Sequence, residues 1–135
     1  MPRGECKLCG RIADLQQSHV IPAFVYRWLR KSSGGGHLRS TKTPNRRVQD
    51  GIKLPWLCMD CEATLGKSEA AFAENLFYPY LKQSGDTFRY REWLMHFCTS
   101  LSWRAATYAL SEGLPGDWPN EDRACVKDAA TDWKE

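Results

Sequence analysis

The chain has 135 residues, of which 42% are hydrophobic, 12% aromatic and 26% charged. That composition fits one ordinary globular domain and excludes disordered, collagen-like and low-complexity classes. Its apolar runs are too short for a transmembrane helix, and the opening Met1-Pro2-Arg3-Gly4-Glu5-Cys6 lacks the apolar stretch of a secretory signal, so a cytoplasmic protein is expected.

The net charge is only +3, but its distribution is uneven: residues 27–53 hold Arg27, Arg30, Lys31, Arg39, Lys42, Arg46, Arg47 and Lys53 against Asp50 alone. A polyanion suits such a segment, because phosphate contacts release counterions; the competing reading is a solvated basic loop without a ligand. Cys6-Lys7-Leu8-Cys9 and Cys58-Met59-Asp60-Cys61 are two pairs of identical spacing. Two intervening residues let both thiolates of a knuckle turn onto one ion, and two knuckles complete a four-thiolate zinc site with no open position. An accidental coincidence or a redox CxxC is the alternative. Gly10 follows the first pair, where a knuckle needs a residue tolerant of positive φ.

Along the chain, Arg11 to Val20 reads as a short hairpin strand. Pro22 opens a helix whose apolar stripe is Ile21, Phe24, Val25, Trp28 and Leu29, with Arg27, Arg30 and Lys31 off it. Ser32-Ser33-Gly34-Gly35-Gly36 is a break, and Thr41 to Asn45 reads as part of a long loop able to close over a ligand. Ile52 to Leu57 reads as a strand that Pro55 confines to an edge or a bulge. One helix is expected from Ala63 to Tyr78, its end bounded by Pro79 and Gly85, with Glu69 and Glu74 facing water; another is expected from about Phe88 to Leu110. Cys98 falls in the apolar pattern of the second helix and is expected to be buried. After Gly113 the tail is expected to be irregular, with one helical turn near Arg123 to Asp128. The expected division is 1–85, zinc-stapled with a basic insertion at 27–53, and 86–135, a helix and tail packing on it.

Between the knuckles lies Gln16-Gln17-Ser18-His19-Val20-Ile21-Pro22, followed by Pro44-Asn45 and Leu57-Cys58-Met59-Asp60-Cys61-Glu62. From Cys6 to about Lys67 this order resembles the HNH endonuclease superfamily, the zinc-stapled ββα or treble-clef nucleases. The resemblance implies an α+β fold, a small treble-clef (ββα) core with additional packing helices. It implies metal-dependent hydrolysis of a nucleic-acid phosphodiester, with DNA favoured over RNA but the two left open, and with His19 as the general base that deprotonates water. Asn45 would orient His19 or help hold the metal. Glu62 would hold a catalytic divalent ion, magnesium or manganese, that neutralises charge on the phosphate. Cys6, Cys9, Cys58 and Cys61 would hold a structural zinc. Arg27, Arg30, Lys31, Arg39, Lys42, Arg46 and Arg47 would track the phosphate backbone.

Two departures from the family's pattern stand out. Ser18 occupies a place where the family has Asp or His as a metal ligand, and the interval from His19 to Cys58 is long; Asp50 or Asp60 could supply the missing carboxylate. The competing function is a zinc module that binds nucleic acid without cutting it. A third is a protein-interaction domain using Tyr80, Trp118 and Trp133. His37 is expected to be a loop residue or phosphate contact, and His96 a helix surface or packing residue.

Overall fold

The computed structural model describes residues 1–36, 38–40, 42–48, 51–83 and 85–134. Three antiparallel strands, β1 (Arg3–Glu5), β2 (Ile12–His19) and β5 (Lys53–Cys58), form a sheet in the order β1-β2-β5. Cys6 and Cys9 lie in the turn between β1 and β2, where Gly10 takes φ +76° and its N–H donates to the Cys6 carbonyl at 2.8 Å. The β2–β5 register runs Gln16↔Leu57 and then Gln17↔Pro55, so Trp56 is an extra residue in β5. Pro55 is thus tolerated in both ways expected of it, in an edge strand and beside a bulge. The bulge lets Trp56 and Leu57 both be buried despite being adjacent.

After β2, Pro22 is buried and precedes α1 (Ala23–Ser32), which buries Phe24 and leaves Arg27, Trp28 and Lys31 exposed. The stretch expected to be loop instead pairs as a hairpin, β3 (Leu38–Ser40) with β4 (Thr43–Val48). Backbone pairing makes this hairpin, and the Arg39 side chain adds a hydrogen bond from Nη1 to the Pro44 carbonyl at 2.9 Å. It has no apolar alternation for a sequence reading to find.

The next helix, α2 (Met59–Phe72), starts directly after Cys58, four residues before its expected onset at Ala63. Pro79 does not end it. The helix passes through a π-helical turn (Ala73–Phe77) into α3 (Tyr78–Leu81), with the Tyr78 N–H donating to the Ala73 carbonyl. A proline inside an α-helix clashes with the carbonyl four residues back, here Asn75, and the wider turn relieves that clash.

Helix α4 (Glu92–Glu112) ends at Gly113 with φ +89°. The tail expected to be irregular contains α5 (Asn120–Asp132), which packs on α4 but buries no residue fully, so it shows little apolar periodicity. No helix among the described residues is long and apolar enough to cross a membrane.

Two apolar clusters form the core. Leu15, Val20, Trp56, Leu57 and the cysteines surround Trp103 of α4, and Phe24, Ala73 and Phe97 gather Phe72, Phe77 and Leu101. Phe72 stacks on Phe97 with centroids 3.9 Å apart. Between the clusters lies Arg104, only 2% exposed. Its Nη1 meets Glu69 Oε1 at 2.6 Å and donates to the His19 carbonyl at 3.1 Å, so Glu69 faces this cation and not water. Cys98, expected to be buried, is exposed, because the stripe of α4 is carried by Phe97, Ser100, Trp103 and Arg104.

Removing one partner of a buried ion pair leaves an uncompensated charge. Glu69→Ala is therefore expected to cost about 3 kcal/mol of stability in chemical denaturation, and Glu69→Leu combined with Arg104→Met much less. Equal losses in the single and double variants would refute this role for the pair.

Candidate functional site

The hairpin β2–β5 brings the two CxxC pairs together. Leu15 sits opposite Cys58, so the end of β5 and the start of α2 lie against the knuckle that precedes β2. The Sγ atoms of Cys6, Cys9, Cys58 and Cys61 all lie within 4.8 Å of one another and could hold one metal ion. The Cys9 and Cys58 sulfurs are 3.8 Å apart. A tetrahedral zinc with Zn–S bonds of about 2.3 Å has edges of about 3.8 Å, so the cluster has the dimensions of a structural zinc site.

Donors surround the sulfurs. The Cys58 N–H donates to Cys6 Sγ at 3.4 Å, Arg11 Nε donates to Cys9 Sγ at 3.4 Å, and Arg11 Nη2 reaches Asp60 at 2.9 Å. The Arg11 guanidinium lowers the exposed Cys9 thiol to about 6. Burial, together with its sulfur neighbours, pushes Cys61 well above the ordinary thiol range. A metal ion that replaces the proton on Cys61 and joins the Cys9 thiolate resolves this mismatch. Arg11 was not singled out by the sequence; its place two residues after a ligand is the signal that could have found it. Asp60 is committed to Arg11 at the protein surface, which removes it as the missing carboxylate at Ser18.

The second part of the site is the junction of β2 with α2. Ser18 is 1% exposed and donates its hydroxyl to Glu62 Oε2 at 2.7 Å, so the two halves of the motif, 44 residues apart in sequence, touch here. Glu62 sits in the first turn of α2, where the helix dipole favours a carboxylate. His19 follows Ser18 at the end of β2, half-buried, with its ring centroid 6.4 Å from that of Tyr26 and its carbonyl held by Arg104. The Tyr26 ring occupies the space a side chain at residue 51 would need, so Gly51 is what lets it lie there.

Arg104, Tyr26 and Gly51 escaped the sequence reading, and Glu69 was expected only as a water-facing residue. Arg104 alone left a trace, as the one charge in the spacing Phe97, Leu101, Arg104, Tyr108. Asn45 lies exposed on β4 and forms no hydrogen bond to His19 or Glu62 among the described residues. Asp50 and His37 lie outside the described residues. His96 is exposed and lines an apolar cavity of about 650 Å³ with Trp93, Trp103 and Trp133.

Of the basic set, Arg27, Lys31, Arg39, Lys42 and Arg46 are exposed, Arg30 is half-buried, and Arg47 lies in β4. No family model, curated protein or solved structure matches the chain.

Because Arg11 lowers the Cys9 thiol, protons compete with metal at that sulfur only as the pH falls toward about 6. Without the guanidinium the thiol rises toward its ordinary value and protons compete sooner. Arg11→Ala is expected to release its metal at a higher pH than the wild type in an acid titration read with a metal-sensitive dye. Cys6→Ser or Cys61→Ser is expected to abolish stoichiometric loading, measured by elemental analysis. Loading unchanged in both cysteine variants would rule out the four-cysteine site.

Proposed function

We propose that the protein is a metal-dependent, HNH-like nuclease built on a treble clef, in which a knuckle, a hairpin and a helix are stapled by one structural zinc. The observation that supports this reading is the hydrogen bond from Ser18, the residue before His19, to Glu62. The chain's own residues divide the work as follows. His19 takes a proton from water, as an imidazole does well near neutral pH. Arg104, through the His19 carbonyl, fixes the end of the strand that carries the imidazole. Ser18 orients the Glu62 carboxylate by donating to one of its oxygens.

Glu62 is a hard oxygen donor and fits a magnesium or manganese ion, which commonly binds through one or two protein carboxylates and keeps several waters. When bound, such an ion supplies charge neutralisation at the phosphate. The exposed cations from Arg27 to Arg46 supply sequence-independent attraction for the backbone, and DNA is the proposed polymer.

A second reading has its own support. Among the described residues, the four cysteines form the one cluster of three or more His, Cys, Asp or Glu ligands, and Ser18 brings no carboxylate to Glu62. That favours a zinc module that binds nucleic acid without cutting it.

The test is cleavage of supercoiled plasmid, single-stranded DNA and RNA by metal-loaded protein, with and without added Mg²⁺ or Mn²⁺. Cleavage is expected to need the divalent ion and to fall by about 10²-fold or more in His19→Ala. It is also expected to fall in Glu62→Gln, with the four-cysteine metal retained in both variants. Binding that weakens steeply with salt, with no cut product from folded protein, would establish the second reading in its place.

A further inference from the structure

A second constellation lies away from Ser18, His19 and Glu62, between α1 and α3. Arg27, Trp28 and Lys31 of α1 face Tyr78, Leu81 and Lys82 across a cavity of about 290 Å³. The π-helical turn leads directly into α3, whose Tyr78 and Leu81 form this wall. Phe77 holds both aromatic rings, edge-on to Trp28 at 5.8 Å and to Tyr78 at 5.5 Å. Trp28 and Tyr78 are nonetheless each 37% exposed.

Three cations line the cavity with no carboxylate among them, and none of the three takes part in an ion pair among the described residues. Like charges gathered around exposed indole and phenol rings repel one another unless an anion joins them. Glu74 lines the adjoining cleft, which also borders Arg27 and Tyr78, and its charge disfavours an anion on that side, whereas Glu69 in the same cleft is paired with Arg104.

We infer that this cavity binds an unpaired nucleotide of a single-stranded nucleic acid, its base against Trp28 and Tyr78 and its phosphates on Arg27, Lys31 and Lys82. Cations alone suffice to hold a duplex backbone, but exposed aromatic rings need a base whose faces are free, and in a duplex the neighbouring base pairs cover them. The cavity volume of about 290 Å³, just below the usual range for small-ligand sites, leaves room for no more than one nucleotide. The inference rests on the nucleic-acid reading above for the nature of the polymer, and adds that the strand is unpaired.

The test is equilibrium binding by fluorescence anisotropy, with metal-loaded protein and no added Mg²⁺ or Mn²⁺. The probes are labelled single-stranded DNA and RNA of about 12 nucleotides, and the matching duplex. Single strands are expected to bind more tightly than duplex. Trp28→Ala is expected to weaken single-strand binding about tenfold, whereas Trp28→Phe, which keeps a π-face, retains most of it. Lys31→Ala with Lys82→Ala removes two exposed cations without touching the core, and is expected to lower the single-strand salt slope by about 1.4.

Duplex bound as tightly as single strands, no binding of single strands, or single-strand binding unchanged in both variants would each overturn the inference. The two proposals separate cleanly. Cutting that depends on His19 alongside normal single-strand binding by the Trp28 and Lys31/Lys82 variants keeps the nuclease and discards the pocket. Trp28-dependent strand binding without cutting keeps the pocket and discards the hydrolysis.

Discussion

Four sulfurs within 4.8 Å of one another, drawn from chain positions 55 residues apart at their extremes, are the constraint around which this molecule is organised. Thiolates that close repel unless a cation joins them, so the geometry is favourable only with a metal ion or with protons in the right places. Its consequences run outward. The knuckle fixes the start of β2, β5 delivers Cys58 to the same point, and α2 begins at Met59 directly after that cysteine and carries Cys61 in its first turn. Because α2 starts there, Glu62 arrives one residue after the last cysteine, beside Ser18. The small sheet has little core of its own, and Trp103 of α4 supplies the largest apolar side chain that seals it.

Arg104 performs a second joining task. A guanidinium 2% exposed is costly to desolvate, and Glu69 with the His19 carbonyl offsets that cost by pairing and hydrogen bonding. The arrangement couples three elements, α4, α2 and the end of β2, so the strand carrying His19 is set by a helix that lies far beyond it in the chain. The Ser18 hydroxyl has a comparable place: fully buried, it satisfies itself on Glu62 and commits that carboxylate to the β2 side of the helix.

The basic segment divides into two kinds of surface. On β3 and β4 the cations stand on a polar hairpin, a form suited to general attraction of a polyanion. On α1 they stand beside Trp28 and across from Tyr78, where aromatic surface accompanies charge. Tyr78 belongs to α3 with Pro79, whose clash with the carbonyl one turn back is relieved by a π-helical turn. The same proline that a linear reading takes as a helix end lies, in the folded chain, within the helix that forms one wall of a cavity.

Local signals were sufficient for much of this. The paired CxxC spacing located the four cysteines that could hold a metal, Gly10 predicted the positive φ of its knuckle, and Pro55 predicted an edge or a bulge. Helical periodicity found α1, α2 and α4, because these features depend on chemistry within a few residues. The polar hairpin, the helix continuing past Pro79 and the amphipathically weak α5 escaped, since backbone pairing and docking on α4 create them without an apolar period. Cys98 was misjudged because small shifts in helix phase decide which of two neighbouring residues faces inward. By itself the sequence determined which residues could bind a metal and where the positive charge lies. Only the tertiary structure decided that Ser18 meets Glu62, that Arg104 holds the His19 strand, and that Trp28 faces Tyr78 and Lys82. Each of those contacts joins groups far apart in the chain, and their energies exist only once packing has brought them within a few ångströms.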